Sequence, residues 1–118
     1  MKIAITSQNF QTITGHAGKT FRFLIFEVEG NQITDQYPQE IPKEYVFHNF
    51  FHNINATPET PHPLDDVDVF ITGSAGHGFV HRMGQRGKKV IITSETDPKL
   101  AVEKFLRNEL EELESHHH

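Results

Sequence analysis

The stretch ITGSAGHGFVHRMGQRGKK, residues 71–89, sets five glycines, two histidines and four basic residues between two apolar runs. Before it, VDVFITG (Val67–Gly73) reads as a buried strand ending in glycine. After it, KKVIIT (Lys88–Thr93) reads as another, and Gly87 closes the helix between them. Strand, helix and strand in this order imply two parallel strands joined by a right-handed crossover.

The rest of the chain assembles around that unit. KIAIT (Lys2–Thr6) is a short β-branched strand. TFRFLIFEVEGNQITDQY (Thr20–Tyr37) contains two strand-like runs separated by Glu29-Gly30-Asn31, the pattern of an antiparallel hairpin. PKEYVFHNFFHNI (Pro42–Ile54) predicts a helix opened by Pro42, with Val46, Phe47, Phe50, Phe51 and Ile54 on one side and His48 and His52 on the polar side. NATPETPHPLDD (Asn55–Asp66) has three prolines in six residues and predicts a loop. ETDPKLAVEKFLRNELEEL (Glu95–Leu113) predicts a helix with Asp97 as N-cap and Pro98 at its first position. Its buried stripe is Val102, Phe105, Leu106, Leu110 and Leu113. The order β-β-β-α-β-α-β-α describes a small mixed α/β sheet in one domain over residues 1–113, followed by a tail at 114–118.

Length and composition narrow the function. The 118 residues suffice for one modest core. No run is apolar enough to span a membrane, and MKIAITSQNF has no signal-like apolar segment, so a cytoplasmic protein without a membrane partner is expected. Cysteine is absent, which removes disulfides, thiolate ligands and Cys nucleophiles. Three of the nine histidines end the chain in SHHH and resemble an affinity-tag remnant. A net charge of −5 argues against nucleic acid as partner. That charge is unevenly spread. Residues 8–26 and 69–94 contain no Asp or Glu but hold Lys19, Arg22, Arg82, Arg86, Lys88 and Lys89. Should these windows meet, they create a local positive field suited to a small anion.

Candidate chemistry gathers in the same windows. Gly73, Gly76 and Gly78 lie where strand gives way to helix, where free amides and the helix dipole attract anions. Their spacing is G-x-x-G-x-G, without a dinucleotide fingerprint or a P-loop Lys-Ser/Thr, so neither nicotinamide nor flavin is expected. The plainer alternative is a tight turn. His77 and His81, and likewise His48 and His52, are spaced i, i+4 and share a helix face. Neither pair has the Glu of a zincin. A solvated polar face is the alternative for His48 and His52. His16 sits between Gly15 and Gly18, glycines that suggest unusual backbone angles or close approach of a ligand. If the first and fourth strands are parallel neighbours, the His16 loop and the Gly73–Gly78 loop emerge side by side. That would bring His16, Lys19 and Arg22 towards His77 and His81. Ser74 lies in GSAG, not G-x-S-x-G, and no carboxylate is placed for a hydrolytic triad.

Three segments, MKIAITSQ (residues 1–8), GHAGKTFRFLIFEV (15–28) and DVDVFITGSAGHGFVHRMGQRGKKVII (66–92), resemble the dinitrogenase iron–molybdenum cofactor biosynthesis family of NifX/NafY-like accessory domains. The resemblance implies a ribonuclease H-like five-stranded mixed sheet in the order 3-2-1-4-5, flanked by about three helices. It implies a non-enzymatic carrier, related to nitrogen fixation, of an anionic iron–sulfur or iron–molybdenum-type cluster, with cluster donor and acceptor proteins as partners. Position by position it places cofactor binding at Gly15, His16 and Gly18, and at Gly73, Ser74 and Gly76. Lys19, Arg22, His77 and His81 border these loops. Metal ligation would fall to His16, His77 and His81, with His48 and His52 joining if their helix covers the cleft. The alternatives left open are a phosphate- or nucleotide-type anion module and a regulatory interaction domain without a ligand. The family commonly has an aromatic residue where Ala17 stands, and residues 38–66 match it poorly.

Overall fold

The computed structural model describes residues 1–114; the terminal histidines, and with them nearly all of the expected tail, lie outside the described residues. The elements are β1 (Lys2–Thr6), β2 (Arg22–Glu29), β3 (Gln32–Glu40), a 3-10 turn (Lys43–Tyr45), α1 (Phe47–Phe51), β4 (Val69–Thr72), α2 (His77–Gln85), β5 (Lys89–Ile92) and α3 (Pro98–Leu106). They form one mixed sheet in the order β3-β2-β1-β4-β5, as expected. β1 pairs antiparallel with β2 and parallel with β4, aligning Ala4 with Phe70. β4 and β5 are parallel across the α2 crossover. The β2–β3 hairpin turns at Gly30, whose φ of +60° is the left-handed conformation that glycine adopts at little cost.

Strands buried on both faces read as continuous apolar runs, and FLIF in β2 is one of them. The alternation of side chains then divides the core in two. On one face Ala4, Phe23, Ile25, Phe70 and Ile92 pack under α1 and α2, with Phe47, Phe79 and Met83 as their partners. On the other, Ile3, Ile5, Leu24, Phe26, Ile71 and Ile91 pack under Ala101 and Val102 of α3. β3 forms one edge of the sheet and includes Pro38, which extends the strand beyond the expected end at Tyr37. Proline is compatible with an edge because no ladder hydrogen bond is needed there.

Two helices differ from expectation. The first is not one helix from Pro42 to Ile54. Pro42 caps a 3-10 turn, Val46 is extended (φ −56°, ψ 127°), and only Phe47–Phe51 is α-helical. Ile54, assigned to the buried side, is 96% exposed. The His52 imidazole accounts for the early stop, because its Nδ1–H donates to the His48 carbonyl at 2.6 Å, an acceptor that continued helix would use. The last helix ends at Leu106 rather than Leu113. Asn108 has φ +58°, and the Glu109 N–H returns to the Lys104 carbonyl at 2.8 Å. Leu113 leaves the expected stripe and bridges Ile92 of β5 instead. The start of that helix is as read: the Asp97 carboxylate accepts from the Leu100 N–H at 3.1 Å, with Pro98 following.

Candidate functional site

Because β1 and β4 run parallel, the loops after Thr6 and Thr72 leave the same end of the sheet. The Thr6 and Thr72 hydroxyls are hydrogen-bonded at 2.9 Å where the strands end. Beyond them the loops pair again. His16 and Ser74 form a parallel bridge, the Ala17 N–H donates to the Ser74 carbonyl at 2.9 Å, and His16 Nδ1 lies 2.9 Å from Ser74 Oγ. The two acid-free windows therefore meet.

A third segment closes on them. The His48 N–H, in the first turn of α1, donates to the Gly18 carbonyl at 2.6 Å. This seats α1 against the His16 loop and leaves a cleft of about 490 Å³ between α1, that loop and the start of α2. His16, Gly18 and Lys19 line it from the loop, and His48, Phe51 and His52 from α1. Gly76, Gly78, Phe79 and Arg82 complete the wall. None of these residues is a carboxylate. The Arg82 guanidinium lies over the Phe51 ring at 5.6 Å, held by a cation–π contact. Gly76 is the N-cap of α2, and no side chain caps that end. Of the six cations in the acid-free windows, Lys19 and Arg82 line the cleft, and they are its charged side chains.

The glycines separate into two kinds. Gly15 has φ +90°, so its loop requires glycine for conformation. Gly73, Gly76 and Gly78 have no positive φ. A Cβ built at Gly73 or Gly78 would meet nothing within 4 Å. Neither torsion nor packing demands glycine at those two positions. At Gly78, in the cleft wall, the missing side chain leaves open space in front of the backbone. At Gly18 a Cβ would stand 3.8 Å from the His16 ring, an ordinary contact, so backbone strain does not explain that residue.

The expected residues are not all brought together. His16, Gly18, Lys19, Gly76, His48 and His52 line the cleft; Gly15, Gly73, Ser74, His77, His81 and Arg22 do not. His77 and His81 are exposed on α2. Arg22 turns to other partners: its Nη1 donates to the Gln8 carbonyl at 3.0 Å, its Nε lies 3.6 Å from Glu40, and its guanidinium covers Phe21. Ser74 contributes behind the wall, through His16. Among the described residues no three His, Asp or Glu side chains are grouped so as to hold a metal ion. Gly78, the last glycine of the G-x-x-G-x-G run, lines the cleft as well, and Phe51 and Phe79 are cleft residues that spacing did not single out. The docking of α1 onto Gly18 brings Phe51 to them.

The buried His62, which no motif or spacing marks, holds α1 in place. Its ring stacks on Phe47 at 4.3 Å. Nε2–H donates to the Tyr45 carbonyl at 2.7 Å, and Nδ1 accepts from the Leu64 N–H at 3.0 Å, which fixes a neutral tautomer. Burial lowers its pKa from the ordinary histidine value. The next turn is clamped by Arg86, which donates to the carbonyls of Pro58 and Thr60 and pairs with Asp65 at 2.6 Å. Burial raises the Asp65 carboxyl, but the His62 N–H and the Arg86 guanidinium outweigh it and hold it below its usual value. Arg86, grouped with the cleft cations by sequence, is thus committed to the proline loop.

Known structures share this architecture. The chain superposes on PH0822 with a TM-score of 0.71 at 16% identity, over 95% of this chain and 94% of that one. It superposes on a protein provisionally named a dinitrogenase, from Methanocaldococcus jannaschii, with a TM-score of 0.69 at 13% identity, over 98% and 97% of the two chains. A protein provisionally named NifB, from Thermotoga, gives 0.62 at 17% identity, over 95% and 92%. At such identities these matches show the fold. No curated protein matches. The class is settled by sequence: residues 1–108 match the profile of the dinitrogenase iron–molybdenum cofactor family, and the chain belongs to that family.

Proposed function

We propose that the protein is a non-enzymatic carrier that receives a preassembled anionic metallocluster, of iron–sulfur or iron–molybdenum type, in the cleft between α1 and the start of α2. The observation that carries this reading is the cleft's donor set: three imidazoles, two cations and glycine backbone, with no carboxylate. A bare metal ion needs a closed set of protein ligands, and no group of three suitable side chains occurs among the described residues. A cluster that brings its own sulfide ligands needs less. Imidazole nitrogen suits an exposed iron or similar centre. Lys19, Arg82 and the α2 amides offset the cluster's charge. The open space at Gly78 lets a bulky rigid body approach the backbone. Family membership supports the same cargo, and protein partners would then be the cluster's donor and acceptor. His77 and His81, exposed beside the cleft, are secondary ligand candidates, as Gly15, Gly73, Ser74 and Arg22 are supporting residues of the two loops.

The test is anaerobic titration of the protein with a reconstituted iron–sulfur cluster and with isolated iron–molybdenum cofactor, followed by visible absorbance and gel filtration. Stoichiometric binding that His16→Ala weakens about tenfold or more supports a carrier with a histidine ligand. Binding of inorganic phosphate or a nucleotide instead, indifferent to His16→Ala but lost in Lys19→Gln/Arg82→Gln, would replace it with the small-anion reading. That alternative is favoured by one observation, the α2 N-terminus that no side chain caps. No binding of either kind would leave an interaction domain.

A further inference from the structure

α1 is too short to be a stable helix by itself, yet it places two imidazoles side by side at the cleft. His48 and His52 have ring centroids 4.4 Å apart, both are exposed, and both line the cavity. Imidazoles this close can direct one nitrogen each at a common centre about 2 Å away. The second ring is already oriented. His52 Nδ1–H donates to the His48 carbonyl at 2.6 Å, so in the neutral ring Nε2 carries the lone pair. Metal-bound histidines commonly have this arrangement, with the far N–H given to a backbone carbonyl. The first ring is anchored through its backbone, because the His48 N–H is held by Gly18.

Two imidazoles leave a four-coordinate metal half empty, and no carboxylate lines the cleft to fill it. Lys19 and Arg82 line the same cavity and would repel a bare dication. They would attract the anionic ligands of a metal that is already complexed. Hard cations such as Mg²⁺ and Ca²⁺ require oxygen donors that are lacking here.

We propose that His48 and His52 form a two-imidazole chelate for one borderline divalent transition-metal centre that arrives carrying its own anionic ligands, while Lys19 and Arg82 receive those ligands. The inference rests on the carrier reading for its location and adds a division of labour: α1 takes metal, and the loop and α2 take charge. It assigns the metal to α1 rather than to His77 and His81.

Cobalt(II) with thiocyanate tests this without a cluster, because tetrahedral cobalt absorbs strongly in the visible. In every protein compared, His116, His117 and His118 are replaced by serine, and thermal melts verify folding. The expected result is weak one-to-one cobalt binding that thiocyanate strengthens about tenfold or more, with tetrahedral bands appearing. His48→Asn or His52→Asn should remove the bands, and both changes leave exposed positions. Lys19→Gln/Arg82→Gln should retain cobalt binding but lose the thiocyanate enhancement. Cobalt binding that persists in the His48→Asn/His52→Asn double variant overturns the chelate. Enhancement that persists without Lys19 and Arg82 overturns the division of labour. Failure here with intact cluster binding removes only this inference; success here with no cluster binding removes only the carrier reading.

Discussion

The two faces of the sheet are built from different materials. Under α3 the core is mainly aliphatic, with Ile3, Ile5, Ile71 and Ile91 around the single buried ring of Phe26, beneath a helix that has an Asp N-cap and a proline at its start. Under α1 and α2 it is centred on aromatic rings. Phe47 packs its ring edge-on against Phe23 at 6.4 Å, Phe70 at 5.7 Å and Phe79 at 5.4 Å, and stacks on His62. The aliphatic face is covered by an element that local chemistry specifies. The aromatic face is covered by a five-residue helix that stands only because the core, His62 and the Gly18 carbonyl hold it. The cleft lies on the second face, so the site is placed where structure is most dependent on long-range contacts.

The strongest way to break this comparison is Phe47→Ala. The residue is 1% exposed and its ring meets those four rings and Phe51 besides, so the loss should be about 3–5 kcal/mol in urea unfolding. Ile71→Val on the same sheet should cost only about 0.5–1.5 kcal/mol. Comparable values for the two would erase the distinction. Ligand binding at the cleft should fall with Phe47→Ala and not with Ile71→Val.

The second test is pH. The folded protein keeps His62 neutral, its pKa lowered by burial, whereas in the unfolded chain it titrates near 6.5. The unfolded state therefore binds more protons as pH falls, and the stability that neutral His62 contributes is present above 6.5 and lost progressively below it. Asp65 and Arg86 face the ring with opposed charges, so desolvation decides the sign. Urea midpoints at about pH 7.5 and about pH 5 should fall more in wild type than in His62→Gln, which cannot protonate. Equal drops would remove His62 as the pH-sensitive support of α1.

On the other face, Asp97→Ala should cost about 1 kcal/mol through the lost cap, seen as a lower melting temperature with ligand binding unchanged. The smallest effect sharpens the contrast by its sign. Gly78→Ala sits in α2 with open space around its Cβ, so it should raise stability by about 0.5–1 kcal/mol. At the same time it should weaken binding of a bulky ligand. A stabilised variant with undiminished binding would mean that the space at Gly78 is not used.

The same contrast explains what could be read in the sequence. The hairpin at Gly30, the α2 crossover and the Asp97 cap follow from local patterns, the strand order from the family resemblance, and all are present. So is the meeting of the acid-free windows, which follows once β1 and β4 are neighbours. Over residues 42–54 helical periodicity survives in a segment that is not one helix. Val46 breaks it, and Phe47 is placed by His62, fifteen residues away. The Leu110 and Leu113 positions kept the period of α3 past its end for a similar reason: Leu113 is apolar because it meets Ile92. In the cleft, residue types pointed to His16, Lys19 and Gly76. Nothing local revealed that α1 faces them or that Arg22 and Arg86 are spent elsewhere.

The margins of the sheet have a consequence of their own. At one side β3 presents Pro38, which has no N–H, between Asp35 and Glu40; at the other the chain turns back so that Leu113 occupies Ile92. A neighbouring molecule seeking to add a strand meets a missing donor and negative charge on the first side, and a partly filled ladder on the second. Such a sheet resists growing into ribbons at high concentration.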